Sequence, residues 1–268
     1  MNKGKYPGRK TLNRLLVLMA IMITFSMAGT ALAYAGQSIK AVKAGGEVVI
    51  DGELNEWNTL DPMVANTMEQ VVRDVGQWTG PEDSSFEVYV MWDEKNLYLA
   101  AKILDETPFM YREGFPPDFA DSLVIFLSTD PGADPARTSY TARDFRMTQI
   151  IDDYDFYNGI DRSMIADPLG YETSGEDGDM QVLEGFSCAV KEIEGGYTYE
   201  SCIPLANFSN DKIPLLVPEA GMRIGFECAL FDLDFPCPGV ATVRIQACGS
   251  EEADTNPSLW GSLEFVVE

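Results

Sequence analysis

Short runs of alternating apolar and polar residues cover most of the chain, and Gly, Pro, Asn and Asp separate them. Alternation with a period of two is typical of strands that bury one face. Many such runs between turn residues are typical of sandwiches and barrels, and no helical pattern alternates with them. The pattern therefore predicts an all-β, antiparallel β-sandwich of about ten strands, at residues 46–52, 85–92, 97–104, 121–129, 144–151, 185–193, 197–205, 223–232, 243–249 and 262–268.

The clearest hairpin is FEVYVMWDEKNLYLAAKIL, residues 86–104. Apolar residues alternate along its first strand and end at Trp92, and a matching apolar set begins at Leu97. The polar sequence DEKN between them suits a hairpin loop, because Asn96 tolerates a left-handed backbone. A tryptophan is costly to leave in water, so we expect Trp92 to be buried at one end of the sheet.

Two segments depart from the strand pattern. Residues 61–75, DPMVANTMEQVVRDV, place Asp61 where a helix N-cap would stand and Pro62 at the first helical position, and their Val and Met residues recur at helical spacing. A helix and an irregular edge strand are both compatible with this segment. Residues 152–182 are rich in Asp, Gly and Tyr without periodicity, which predicts a long loop or insertion on the sandwich.

The N-terminus has the organisation of a secretory signal peptide. Residues 1–14 carry five basic residues and no acid, an uncharged apolar run follows, and Ala31-Leu32-Ala33 stands where a signal peptidase cleaves. The tripeptide that ends at Ala35 offers a second cleavage frame, and an uncleaved membrane anchor is the alternative. We therefore expect an extracellular, secreted protein with one domain at residues 37–268.

The net charge of the chain restricts the classes of partner that it can bind. It has 19 Lys and Arg against 43 Asp and Glu, and removal of residues 1–33 would leave 14 bases against the same 43 acids, a net charge of −29. Such a surface repels phosphate, which disfavours nucleic acid and anionic membranes as partners. It suits solubility outside the cell or, alternatively, cation binding, because calcium prefers carboxylate ligands.

Histidine and cysteine usage restricts the chemistry. There is no histidine, which excludes Ser-His-Asp and Cys-His catalysis and His-ligated zinc or haem. All five cysteines lie between Cys188 and Cys248, and an exported chain can form disulfides. A three-residue loop at 194–196 would set Cys188 opposite Cys202 and permit a bridge, whereas a role as small buried side chains is the alternative.

Seven segments occur in an order that resembles the family 9 carbohydrate-binding modules, sandwich domains of the DOMON-like group. They are IDGELNEWNTLD (50–61), YVMWDEKNLYLAAKILDET (89–107), DSLVIFLSTD (121–130), DFRMTQI (144–150), EGGYTYESCIPLANF (194–208), GMRIGFECALFDLD (221–234) and NPSLWGSLEF (256–265). The resemblance spans about residues 46–268 and implies a jelly-roll-like sandwich that binds sugar without catalysis, with structural calcium in some members. It implies a plant- or cell-wall-type polysaccharide or oligosaccharide as ligand. We expect a monomer that cooperates with secreted glycoside hydrolases in trans.

The resemblance also implies where the sugar would lie, and this chain departs from the family there. Family members hold the sugar between two tryptophans, which correspond to Asp118 and Asp254 in this sequence. Arg146 matches a basic residue of the family's sugar site, and Asp144 and Gln149 lie close to it in sequence. We therefore predict a sugar site around Arg146, Asp144 and Gln149.

Other aromatic residues could replace the missing tryptophans, since the C–H face of a sugar packs on aromatic rings. The candidates are Tyr111, Phe115, Phe119, Tyr154 and Tyr157. The alternative is that these rings only fix loops at the end of the sandwich. Trp57 and Trp92 match structural positions of the family, and Trp260 is expected in the core.

Acidic residues gather where the hairpin ends and the next strand begins. Asp105, Glu106, Asp118 and Asp121 would lie together there, and with backbone carbonyls they would suit calcium, which takes oxygen ligands. A second acidic group is DLD at 232–234. No segment has the spacing of an EF-hand loop, and a solvated acidic rim is the alternative.

Three other functions are compatible with the sequence. Related DOMON-type sandwiches carry haem for electron transfer, which here would need Met110 or Met147 with a lysine. Glycoside hydrolysis needs only two carboxylates, but no motif selects a pair among 43 acids, so we expect no enzyme activity. A cell-surface adhesion or assembly protein that has lost sugar binding is the third.

Overall fold

Strands dominate the computed structural model, which describes residues 34–109, 120–150, 163–167, 181–234 and 242–267, with the backbone alone at 150, 163–167, 181 and 182. Within these residues the chain forms fourteen strands and no α-helix, which confirms the all-β prediction with more strands than expected. The strands are β1 (Ser38–Lys43), β2 (Met63–Ala65), β3 (Val71–Arg73), β4 (Ser84–Trp92), β5 (Asn96–Asp105), β6 (Ser122–Ser128), β7 (Asp144–Ile150), β8 (Ser163–Asp167), β9 (Gln181–Val182), β10 (Ser187–Ile193), β11 (Gly196–Pro204), β12 (Arg223–Asp232), β13 (Val243–Gln246) and β14 (Gly261–Val266).

The strands form two layers joined by β1. The first layer has the order β10-β11-β5-β4, with β2 on β4, and the second has the order β14-β12-β6-β7-β8-β9, with β13 on β12 and β3 on β13. Strand β1 pairs in parallel with both β4 and β14. The sheet is therefore mixed at this junction, whereas the other strand pairs in the described residues are antiparallel.

The hydrophobic core lies between the layers, because inward residues of both layers belong to one cluster. On β4 these are the residues that the hairpin pattern predicted, and they end at Trp92, which is 3% exposed. The Trp92 ring packs edge-on against Phe265 with 5.6 Å between ring centroids, and its Nε1 donates a hydrogen bond to the Val266 carbonyl at 3.1 Å. Trp92 therefore closes one end of the hairpin, as expected.

One prediction of local structure is wrong, and one choice that the sequence left open is decided. Residues 46–52 form a loop instead of a strand, because the backbone N–H groups of Asp51 and Gly52 bond to a side chain, the Glu200 carboxylate. Residues 61–75 contain β2, β3 and one 3-10 turn instead of a helix, which matches the edge-strand alternative. Met68, on the apolar face of the helical pattern, points to solvent instead of the core and is 57% exposed.

The hairpin of β10 and β11 turns in two residues instead of three. Ile193 pairs with Gly196, which shifts the register by one residue and places Cys188 toward the core and Cys202 on the outer face. The predicted bridge between these two cysteines is therefore wrong, because their side chains lie on opposite faces of the layer. A Cβ at Gly196 would lie 2.1 Å from the Ile103 carbonyl oxygen, so this register requires glycine there.

Strands β8 and β9 lie within residues 152–182, where the sequence predicts a long loop or insertion. Its remaining residues are outside the described part of the chain, as are residues 1–33 with the expected signal peptide. Among the residues that the structure describes, no helix is long and apolar enough to span a membrane.

Candidate functional site

Arg146 lies on the outer face of the second layer. It pairs with Phe126 across β6 and β7, and Phe126 belongs to an apolar cluster on the outside of this layer. The Arg146 side chain is half-buried, and its Nε has no hydrogen-bond partner within the described residues. Burial raises the pKa of the nearby Tyr140, and the positive charge of Arg146 acts against that rise. A half-buried guanidinium with an unpaired N–H group can donate hydrogen bonds to oxygen atoms of a ligand.

Three aromatic rings pack together in the same outer cluster as Phe126, the cross-strand neighbour of Arg146. The Trp260 ring centroid lies 5.7 Å from that of Phe126 and 5.4 Å from that of Tyr140. Trp260 is fully buried, and its Nε1 donates to the Ala253 carbonyl at 2.8 Å. Trp260 is therefore part of the packing, as expected, and the half-buried Tyr140 carries the ring nearer to solvent.

Asp254, where the resemblance implies a tryptophan, forms an ion pair. Both of its carboxylate oxygens accept hydrogen bonds from Arg244, which is 1% exposed and lies 4.5 Å above the Phe231 ring. The Tyr140 hydroxyl donates to the Ala253 carbonyl at 3.3 Å and to that of Asp254. These bonds fix residues 250–260 to the sheet, and Asp254 supplies no stacking ring.

The two residues predicted beside Arg146 have other partners. Asp144 shares the outer face, but it is fully buried and forms an ion pair with Arg137 at 2.6 Å. Gln149 points into the core, where its Nε2 lies 3.4 Å from the Ser201 hydroxyl oxygen. The structure therefore separates Gln149 from Arg146, because residues three apart on a strand face opposite sides.

Several predicted site residues lie outside the described part of the chain: Tyr111, Phe115, Phe119, Tyr154, Tyr157 and the metal candidate Asp118. The same is true of Met110. Met147 is buried in the core between the two layers, so its sulfur faces apolar side chains. Trp57 is 1% exposed, as expected for a structural residue.

Three carboxylates meet inside the protein at the ends of β5, β6 and β12. Asp105, Asp121 and Asp232 each place a carboxylate oxygen within 4.8 Å of those of the other two. Their exposed fractions are 2%, 0% and 2%, so the solvated-rim alternative is wrong for these residues. Asp83, Glu106 and Asp234 form a second group with the same spacing, in which Glu106 and Asp234 are exposed.

Burial dominates the electrostatics of the inner group. It raises the pKa of Asp105 to about 6 and that of Asp232 to about 8, and the charge of Asp105 contributes to the latter. Burial and the neighbouring Asp105 also raise the pKa of Asp121 well above its usual range. The three carboxylates therefore resist ionising together unless a cation joins them.

Hydrogen bonds satisfy two of the three acids. Asp121 accepts from the Leu233 N–H at 2.7 Å, and Asp105 accepts from the Thr107 N–H at 2.8 Å. Neither carboxylate oxygen of Asp232 accepts a hydrogen bond of regular geometry within the described residues, although both are buried. A buried carboxylate without a donor is unfavourable, and a bound cation would satisfy it.

The donor set fits calcium. Calcium takes six to eight oxygen ligands at about 2.3–2.6 Å, so the oxygens around one ion lie within roughly 5 Å of one another. Asp105, Asp121 and Asp232 meet that spacing and supply only hard oxygen ligands. The sequence pointed to Asp105 and Asp121, and to Asp232 in a separate group. It gave no sign of Asp83, because this residue lies in a turn without a recognisable motif.

A β-sandwich with a half-buried arginine and aromatic rings on one outer face has the polar and stacking groups that a carbohydrate-binding module needs. The chain belongs to the carbohydrate family 9 binding domain-like family, whose model matches residues 50–267. This match confirms the resemblance that the sequence motifs carry.

Similar proteins include two bacterial enzymes. Endo-1,4-beta-xylanase A of Thermotoga neapolitana is 27% identical over 222 residues, and that of Thermotoga maritima is 29% identical over 222 residues. Each match covers 82% of this chain but only 17% of the xylanase. The fold is similar to that of a family 9 carbohydrate-binding module from Caldicellulosiruptor kristjanssonii in complex with cellotriose, with a TM-score of 0.59, 21% identity, and coverage of 87% of this chain and 95% of the other.

Proposed function

We propose that this chain is a secreted, non-catalytic module that binds a plant- or cell-wall-type polysaccharide or oligosaccharide. The family match over residues 50–267 is the observation that carries this proposal. The matched segment is 17% of each xylanase, which supports a binding role within larger enzymes more than a hydrolytic one. The names of those relatives and the cellotriose in the similar structure make β-linked xylan and glucan the first ligands to test.

Arg146 is the residue that we assign to the sugar site. Sugar hydroxyls need fixed polar partners, and a guanidinium offers several donors in a rigid plane. Tyr140 adds a half-buried ring on the same face, and the C–H face of a sugar packs on such a ring. Asp144 serves this site indirectly, because its ion pair with Arg137 fixes the segment that leads to β7.

A glycan screen tests the sugar site. Wild type and Arg146→Ala are assayed against soluble and insoluble xylan, β-glucan and cellulose, and Arg223→Ala is the matched control because Arg223 is an exposed arginine on β12. We expect wild type and Arg223→Ala to bind one of these glycans and Arg146→Ala to bind it at least tenfold more weakly. Retention of no glycan by wild type would refute sugar binding. Release of reducing ends during incubation would refute the non-catalytic assignment.

Calcium is part of the proposal, with Asp105, Asp121 and Asp232 as its protein ligands. The Asp232 carboxylate supports this assignment, because it is buried and accepts no hydrogen bond of regular geometry within the described residues. Titration of calcium into protein that a chelator has freed of calcium should give saturable binding, and Asp232→Asn should weaken this binding at least tenfold. Equal calcium affinity of wild type and Asp232→Asn would overturn the ligand set, and the glycan screen tests sugar binding independently.

Secretion and partners complete the proposal. Residues 1–33 would direct export and be removed, and the acidic mature chain would act outside the cell as a monomer, beside secreted glycoside hydrolases in trans. Expression of the full chain, followed by N-terminal sequencing of the protein in the medium, tests this. A start at residue 34 or 36 is expected, whereas an intact N-terminus in the membrane fraction would establish the uncleaved anchor.

A further inference from the structure

A cleft lies on the outer face of the first layer, away from Arg146, and the loop at residues 50–58 forms its roof. The Glu200 carboxylate fixes this loop: it accepts hydrogen bonds from the Asp51 N–H at 2.9 Å, the Gly52 N–H at 2.7 Å and the Trp57 Nε1 at 2.6 Å. Thr198 donates from its hydroxyl to the Gly52 carbonyl at 2.7 Å. The roof of the cleft is therefore fixed in place by the buried Glu200 carboxylate.

The floor of the cleft is a row of four side chains in register across four strands. Lys191, Thr198, Lys102 and Glu87 are consecutive cross-strand neighbours on β10, β11, β5 and β4, so all four face outward. The cleft has a volume of about 380 Å³, and small-molecule sites typically span about 300–1,000 Å³. It can hold one or two sugar units.

The polar groups of the floor are not all satisfied by one another. Lys191 forms an ion pair with Glu53 on the loop, and the Tyr89 hydroxyl donates to Glu87 at 2.7 Å. Lys102 is half-buried and makes no ion pair or hydrogen bond within the described residues, although Glu87 is its cross-strand neighbour. An ammonium donor and a carboxylate acceptor thus stand side by side with bonding capacity left over.

The lining favours a neutral, amphipathic ligand. Its charged groups are two lysines and two glutamates, which balance, and the net charge of −24 on the whole chain disfavours anionic ligands. Leu54, Ile193 and the ring of Tyr89 are half-buried and supply apolar surface. A pyranose matches this combination, because its C–H face packs on apolar and aromatic side chains while neighbouring hydroxyls bond to a donor and an acceptor.

We infer that this cleft is a second saccharide site, which binds one or two neutral pyranose units through Lys102, Glu87 and the ring of Tyr89. The molecule would then hold glycan on two opposite outer faces and could bridge two chains. Two weak sites on one molecule raise its retention on an insoluble polymer well beyond that of either site alone. The inference shares its ligand class with the proposed function but rests on different residues.

The test is a titration of the purified secreted protein with cellotriose and with xylotriose, followed by calorimetry and by amide NMR shifts. We expect one set of shifting amides near Arg146 and a second around Tyr89, Lys102 and Thr198. Lys102→Met, which keeps the length of the side chain but removes the ammonium, should weaken the second set at least tenfold. Lys95→Met, at an exposed lysine in the turn of the same hairpin, is the matched control and should change neither set.

The outcomes separate this inference from the proposed function. Cleft shifts that persist in Arg146→Ala support the cleft, even if Arg146 itself binds no sugar. Absence of cleft shifts with both sugars at millimolar concentration overturns the inference, whatever the glycan screen gives. Cleft shifts unaltered by Lys102→Met also overturn it. Tyr89→Phe keeps the ring and the fold, so it should retain most of the affinity that Tyr89→Ala loses.

Discussion

Glu227 on β12 provides a sharp test of the structure, because it is a fully buried acid away from the carboxylate cluster. Its two oxygens accept hydrogen bonds from the Cys248 N–H at 2.9 Å and the Gly261 N–H at 3.4 Å, and no cation faces it within the described residues. Burial raises the pKa of Glu227 from 4.5 to about 8. The folded protein therefore holds a proton that the unfolded chain releases above about pH 4.5.

The sign of the pH dependence follows from this difference. Between about pH 4.5 and 8 the folded state binds more protons than the unfolded state, so the free energy of unfolding falls as pH rises. Each pH unit between the two pKa values corresponds to about 1.36 kcal/mol, which gives a total on the order of 4–5 kcal/mol from this residue. Glu227→Gln keeps the shape and an acceptor oxygen but cannot ionise, so it should abolish this contribution.

The assay is urea unfolding followed by tryptophan fluorescence, at several pH values from 5 to 8.5, at constant ionic strength and with calcium present. The stability of Glu227→Gln relative to wild type should rise by several kcal/mol between pH 5 and pH 8. Glu219→Gln removes the same charge from an exposed site and should run parallel to wild type. A constant difference between Glu227→Gln and wild type across this range would refute the buried, protonated Glu227.

Three further perturbations test other parts of the structure. Chelation of calcium, or Asp232→Asn, should lower the melting temperature by about 5–10 °C, since saturation at 100 times Kd contributes about 2.7 kcal/mol; an unchanged thermal scan on calcium addition to chelated wild type would contradict a stabilising ion. Glu200→Ala should cost about 3–5 kcal/mol in urea unfolding, because it leaves three loop donors unpaired; a loss below 1 kcal/mol would contradict the anchored loop. Gly196→Ala should prevent folding, or destabilise the protein far more than Gly195→Ala. Of these two positions, only Gly196 would place the new Cβ against backbone atoms. At Gly195 there is open space, and the left-handed φ alone costs about 1–2 kcal/mol. Equal effects of the two glycine substitutions, measured by circular dichroism and urea unfolding, would contradict this register.

Local patterns predicted the strands better than their connections. The alternation from Phe86 to Trp92 correctly assigned the inward face of β4, because every second residue must enter the core. The register of β10 and β11 was missed by one residue, since the sequence EGG suits a two- or three-residue turn equally well. A contact outside the hairpin determines the register, because the Ile103 carbonyl approaches Gly196 too closely for any side chain.

The candidate sites were predictable where they follow from strand geometry. The separation of Gln149 from Arg146 could have been deduced, because their spacing of three places them on opposite faces. The meeting of Asp105 with Asp121 was predicted from adjacent strand ends. Its extension to Asp232 was not, because β12 pairs with β6 only in the tertiary fold.

The motifs that identify the family in this sequence are mainly contacts within the scaffold. The IDG and Trp57 of the first motif bond to Glu200 of the EGGYTYE motif, and Asp93 of the WDE motif accepts from the Tyr98 hydroxyl at 2.7 Å. Each of these residues satisfies a buried or half-buried polar partner, which a substitution would leave unpaired. Ligand contacts are under no such constraint from folding. The motifs therefore report on the scaffold, and the ligand has to be established by experiment at Arg146 and in the cleft at Lys102.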